Sequence, residues 1–131
     1  MDKQVDPFYR TKRWKALRAA VLRRDGYQCQ YEKRFGKLRQ ADTVHHIFPR
    51  EQYPEIETAL WNLVALSAAA HDRMHDRQTG ALTKEGRDLM DRTERRQRLL
   101  GNPYFKGVSN GGEELQQRRD RRGTDETGGM V

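Results

Sequence analysis

Thr43-Val44-His45-His46-Ile47-Phe48-Pro49 and His71-Asp72-Arg73-Met74-His75 decide how this chain is read. The first is a β-prone run closed by a proline. Successive side chains of a strand point to opposite faces, so His45 and His46 diverge. The second lies on a predicted helix, where residues four apart share one face about a turn from each other. His71 and His75 have that spacing, and all four histidines of the chain fall between positions 45 and 75. An i,i+4 histidine pair is a standard two-ligand metal clamp. If the strand packs on the helix, one histidine of the adjacent pair joins the clamp and the other is left nearby. Three protein ligands leave coordination positions open, the pattern of catalytic rather than structural sites. Four unrelated polar histidines are the bland alternative, and spacing alone goes no further.

Working outward, a short polar leader ends at Pro7. The pattern from Arg10 to Arg24 predicts a helix with Trp14, Leu17 and Val21 on one face. Arg13, Lys15, Arg18, Arg23 and Arg24 lie mostly elsewhere on it, and Asp25-Gly26 stops it. Tyr27, Cys29 and Tyr31 alternate, a polar stretch follows, and the run from Thr43 comes next, which reads as a β-hairpin with a long connection over 27–48. A short helix is expected over 55–61, then the apolar run Leu63-Val64-Ala65-Leu66. Ser67 is a good N-cap for a helix through Arg77, and Gly80 breaks it. Thr83 can cap a last helix, Lys84 to Leu100, closed by Gly101 and Pro103. No aromatic follows Phe105, and six of the eleven glycines lie in residues 107–131, so a disordered tail is expected there. The organisation is a leader over 1–7, one α+β domain over 8–106 and a tail over 107–131.

A chain of 131 residues is one domain, or a small domain with a tail. Hydrophobic and charged residues are each 34%, and the mean hydropathy is −1.11, so the core is modest. No run approaches the roughly 18 apolar residues of a membrane helix. The first seven residues lack the apolar centre of a signal peptide. Cys29 is the single cysteine, which excludes an internal disulfide and a four-cysteine zinc finger. A soluble cytoplasmic protein without a membrane partner is expected. The net charge of +7 is unevenly placed. Residues 1–39 hold twelve Lys/Arg against four Asp/Glu, residues 40–106 hold ten of each, and the tail is slightly acidic. A basic first third suits a polyanion, most simply nucleic acid, or is a solvated helix face.

Three ordered motifs carry a resemblance: Val44-His45-His46-Ile47-Phe48-Pro49, then Trp61-Asn62-Leu63-Val64-Ala65-Leu66, then His71-Asp72-Arg73-Met74-His75. Together they resemble the HNH nuclease motif, with intervals close to those of the nuclease colicins. Phe8-Tyr9-Arg10-Thr11-Lys12-Arg13-Trp14 and Val21 through Cys29 are similar to small phage-encoded HNH endonucleases. The likeness spans about residues 8–77. It implies a ββα-metal core, flanked here by N- and C-terminal helices, that grips one divalent cation. It carries His46 over as general base and Asn62 as the residue that pins the hairpin loop and orients that base. His45 and His71 become metal ligands, with His75 as the third ligand of the colicin-like variant or a phosphate contact.

The resemblance further implies cleavage of DNA phosphodiester bonds to 5′-phosphate and 3′-hydroxyl ends. It also implies a phage origin with action in the host cytoplasm, and work beside the phage terminase. Imidazole ligands favour Zn, Ni, Co or Mn over Mg, although weakly held Mg or Mn supports relatives. Phage members often carry a four-cysteine zinc knuckle, whose positions fall here on Cys29, Glu32, Ser67 and Ala70. Three of these are not cysteine, so no structural zinc is expected and Cys29 reads as a small buried hydrophobe. Tyr27, Tyr31, Phe35 and Ala68-Ala69-Ala70 are then expected to pack that region. Arg13, Lys15, Arg18, Arg23 and Arg24 are the expected DNA contacts, and Arg50 is a candidate phosphate clamp outside the core set. A non-catalytic, metal-containing DNA-binding module and a structural metal protein are the rival readings.

Overall fold

The computed structural model describes residues 6–106. The tail expected over 107–131 lies outside the described residues. The chain divides into two compact units, one closing at Arg73 and the other opening at Met74.

The first unit opens with a capped turn. The Asp6 carboxylate accepts the Phe8 N–H at 2.9 Å and Pro7 follows it, which starts a 3₁₀ turn over Pro7–Arg10. Thr11 then caps afresh, its hydroxyl accepting the Trp14 N–H at 3.1 Å, and helix α1 runs Lys12–Arg24. The single helix expected from Arg10 is therefore two elements, because two caps follow each other within six residues. Trp14, Val21 and Leu22 are buried on α1, with Leu17 packed partly against them. Gly26 at φ +65° ends the helix, and Tyr27 follows at φ +57°, a left-handed backbone that side chains seldom adopt.

The strand pairing differs from the expected hairpin. Strand β1, Thr43–His46, pairs antiparallel with β2, Leu63–Leu66, in the register Thr43–Leu66 to His46–Leu63. The Tyr27–Tyr31 stretch supplies only a bridge, Gln28 to Gln40, and then turns into helix α2, Gln30–Lys33. Tyr27 and Phe35 are exposed, so they do not pack this region as expected. Burial decides the pairing. Leu63, Ala65 and Leu66 are all buried and can cover both faces of a strand, whereas the tyrosine alternation offers no such surface. Trp14, Val21, Leu22, Ala41, Val44, Leu63 and Ala65 form the core that joins α1 to the sheet.

The connection between the strands holds two 3₁₀ turns, Pro54–Ile56 and Leu60–Asn62, where one short helix was expected. It closes over Phe48, Tyr53 and Ile56, all buried. Helix α3, Ala68–Met74, starts at Ser67, whose hydroxyl accepts the Ala70 N–H at 3.1 Å. It stops short of the expected Arg77, because Asp76 organises a turn. Its carboxylate accepts the N–H groups of Gln78 and Thr79 at 2.8 and 3.0 Å.

In the second unit, helix α4 spans Lys84–Leu99 behind the expected Thr83 cap, which accepts the Gly86 N–H at 3.2 Å. Gly86 is needed for closeness rather than for backbone freedom. A Cβ there would lie 2.6 Å from the Met74 carbonyl oxygen. Leu82, Met90 and Phe105 are buried, and Arg98 donates to Glu94 at 2.7 Å and to the Phe105 carbonyl at 3.2 Å. No helix among the described residues is long and apolar enough to cross a membrane.

Candidate metal centre and histidine pocket

The alternation of β1 sorts its side chains onto two faces. Val44 and His46 share the face toward α1, where Val44 joins the core and His46 stacks on Trp14. His45 takes the other face and meets His71 of α3, with ring centroids 5.2 Å apart. His75 follows one turn after His71. His45, His71 and His75 each offer a ring nitrogen, and these nitrogens all lie within 4.8 Å of one another. They form the one such group of metal-ligating side chains among the described residues.

The donor set fits a divalent transition ion. Neutral imidazoles suit zinc, nickel, copper and iron and also occur around manganese. The Nδ1 atom of His75 lies 3.3 Å from the Gly80 carbonyl oxygen. A carbonyl only accepts, so Nδ1 carries the hydrogen and Nε2 holds the lone pair of the neutral ring. Such a backbone contact fixes tautomer and ring orientation in metal-ligating histidines. The contact exists because Gly80 sits at φ +78° in the turn that Asp76 holds together. Those backbone N–H groups, Thr79 first and then Gln78, keep the Asp76 carboxyl below its ordinary pKa.

His46 is held by different means. Its Nε2 lies 2.9 Å from the Glu57 carbonyl oxygen, so Nε2 is the donor and Nδ1 is left with the lone pair. Its ring stacks on Trp14 at 5.4 Å and 20°, with Phe8 at 6.0 Å and Tyr9 at 6.2 Å. Burial in this aromatic wall pushes the His46 pKa below its usual value, against the opposing effect of the Glu57 carbonyl. The neutral, proton-accepting ring is thereby favoured near pH 7.

Asn62 is fully buried and makes three hydrogen bonds. Its Oδ1 accepts the Phe48 N–H at 2.7 Å, and its Nδ2 donates to the carbonyls of Phe48 and Ile56 at 3.2 Å each. Ile56 precedes Glu57, so Asn62 anchors the backbone that presents the His46 acceptor. Arg50 spans the same connection, donating from Nε to Glu57 at 2.9 Å and from a terminal nitrogen to Asp6 at 2.8 Å. Its guanidinium lies 4.1 Å from the centre of the Phe8 ring.

A comparison with solved structures finds the HNH endonuclease of the deep-sea thermophilic bacteriophage GVE2, crystallised with manganese ion. The two chains are 34% identical with a TM-score of 0.50, over 51% of this chain and 73% of the phage enzyme. This chain belongs to the HNH endonuclease family. No family model matches it. No curated protein matches it either.

Within this HNH fold, the positions expected to correspond to the knuckle do other work. Cys29, Glu32 and Ala70 are buried, and Ser67 caps α3. The α1 cations divide into two sets. Arg13, Lys15 and Arg23 are exposed, with Arg13 3.4 Å from the Thr58 hydroxyl. Arg18 donates to the Asp42 carbonyl at 2.7 Å. Arg24 grips Asp25 with two nitrogens and donates to the carbonyls of Leu60 and Leu63 at 2.9 and 2.7 Å. Arg18 and Arg24 therefore also brace the HNH fold, and Arg24 is exposed like Arg13, Lys15 and Arg23. Sequence also passed over Trp14 and Glu57 as neighbours of His46. The cluster Phe8, Tyr9 and Trp14 was a usable signal for the aromatic wall. A backbone carbonyl such as that of Glu57 has none.

Proposed function

We propose that this HNH protein is a metal-dependent endonuclease that hydrolyses DNA phosphodiester bonds, with its nuclease domain over residues 8–106. One observation carries the reading. Two adjacent strand residues are divided between a three-histidine cluster and a buried, neutral-favoured histidine whose Nε2 is fixed by a carbonyl. A scaffold or a structural metal protein has no use for the second of these.

In this reading His45, His71 and His75 hold one divalent ion. Manganese is the ion named for the phage relative, and zinc, nickel and magnesium are further candidates. Bound there, the ion supplies positive charge to the phosphoryl oxygens and to the leaving oxygen. His46 accepts the proton of the attacking water at Nδ1, while its Nε2 hydrogen stays on the Glu57 carbonyl. Asn62 acts through the backbone of the 47–62 connection and so is a positioning residue. The products carry 5′-phosphate and 3′-hydroxyl ends. Arg13, Lys15, Arg23 and Arg24 offer exposed charge for the phosphate backbone, and half-buried Arg18 adds to it.

Nicking of supercoiled plasmid by purified protein tests the proposal. Cutting with added manganese, abolished by a chelator and by His46→Ala, is expected. Plasmid binding without cutting under any of the four metals would establish the non-catalytic DNA-binding module instead.

A further inference from the structure

The turn from Lys33 to Gln40 takes no part in either histidine site. Its neck is closed by backbone hydrogen bonds. The Cys29 N–H donates to the Arg39 carbonyl at 2.7 Å and the Ala41 N–H to the Tyr27 carbonyl at 2.8 Å. Inside it, the N–H groups of Phe35 and Lys37 both reach the Glu32 carbonyl, at 2.9 and 3.1 Å, and Gly36 at φ +78° reverses the chain. The turn is thus held in one shape.

Every residue from Lys33 to Gln40 is exposed. Four of the eight are cations, Lys33, Arg34, Lys37 and Arg39, and none is acidic. Glu32, the nearest acid in sequence, is buried. Among the described residues no carboxylate pairs with any of the four, whereas Arg24, Arg50, Lys84 and Arg98 all have ion pairs. Between the cations stand Phe35, 58% exposed, and Leu38, 78% exposed. Tyr31 braces the Phe35 ring edge-on at 5.3 Å, and the Arg34 guanidinium lies 5.3 Å from its centre.

Uncompensated like charges on a fixed turn repel one another until a polyanion offsets them. A planar ring held out among those cations matches how single strands are gripped, by phosphates and stacked bases together. An acidic protein would meet the charges and leave the ring without a purpose.

We propose that the Lys33–Gln40 turn is a second DNA contact, separate from the histidine site, where Lys33, Lys37 and Arg39 meet phosphates and Phe35 stacks on an unpaired base. The proposal rests on the reading of DNA as substrate and adds where that substrate is held.

The test measures binding of labelled duplex and single-stranded oligonucleotides against salt, using the full chain with His46→Ala so that cleavage does not interfere. Lys33→Gln with Lys37→Gln should flatten the slope of log affinity against log salt on duplex by about 1.8, near 0.9 per lost phosphate contact. The same number of charges removed from α4, by Arg95→Gln with Arg96→Gln, should leave the slope in place. Phe35→Ala should weaken single-strand binding about tenfold at unchanged slope. Phe35→Leu, which keeps apolar bulk without a stacking ring, should do the same and covers a folding defect in the alanine variant.

An unchanged slope in the turn variant overturns the proposal. Equal flattening by the α4 control does so too, since it shows a general charge effect. Single-strand affinity unaffected by either Phe35 change overturns the stacking. Wild-type protein that cuts plasmid while the turn variant keeps its slope sinks this inference alone. A protein that neither binds nor cuts DNA sinks the nuclease reading with it.

Discussion

His45 and His46 are neighbours in sequence but are positioned by different physics. His45 meets His71 near the end of α3 and His75 just past it, where a bridge to Leu82 and the turn at Gly80 hold the ring. His46 depends on distant parts of the chain: Trp14 beneath it, Phe8 and Tyr9 beside it, and the Glu57 carbonyl eleven residues on. The His71–His75 half of the cluster rests on short-range contacts along the chain. The His46 pocket rests on contacts between residues far apart in sequence.

The largest expected effect separates the two faces directly. His46→Ala should lower single-turnover cleavage about 10³-fold, within the usual range for a general base. Manganese binding, followed by calorimetry, should stay close to wild type. Loss of the ion in this variant would make His46 a ligand and erase the distinction between the faces. His71→Ala should show the opposite pattern, with ion binding and cleavage falling together. Cleavage at wild-type rate by that variant would remove the cluster from the reaction.

Next in size is Asn62→Ala. It strands the Phe48 N–H and two carbonyls inside the fold, which should cost about 3 kcal/mol. Thermal unfolding should show a lowered midpoint, with cleavage slowed below the transition. A midpoint within a degree of wild type would mean that the 47–62 connection holds itself together.

The smallest effect is expected at Glu57. His46 uses its backbone oxygen, which Glu57→Ala retains. The lost Arg50 pair is partly exposed and worth less than about 1 kcal/mol. Plasmid cleavage should stay within a few-fold of wild type. A drop as large as that of His46→Ala would show that the side chain, rather than the carbonyl, supports the pocket.

The same contrast explains what could be read from the chain in advance. The Thr83 and Ser67 caps depend on residues within one turn and stand where local rules put them, whereas the helix expected to carry both His71 and His75 ends at Met74. The partner of β1 depends on which apolar run is buried, so Tyr27, Cys29 and Tyr31 mimicked a strand while Leu63–Leu66 supplied it. Arg18 and Arg24 look like any other cation of α1. Only the fold shows that their donors end on the carbonyls of Asp42, Leu60 and Leu63, up to 39 residues away. The family motif pointed to His46 and Asn62 in order, but not to the aromatic wall or the Glu57 oxygen that surround His46.

Gly86 gives one position far from any motif a hold on the backbone at His75. Its missing side chain lets the backbone of α4 come close to the carbonyl of Met74, the residue immediately before His75. A methyl group there has to push that carbonyl away, and the displaced peptide leads into His75, a candidate ligand. In a library of random variants selected for tight ion binding, this glycine should be depleted of substitutions as strongly as a ligand. A selection for folding alone should be more forgiving there, wherever the helix can shift to make room.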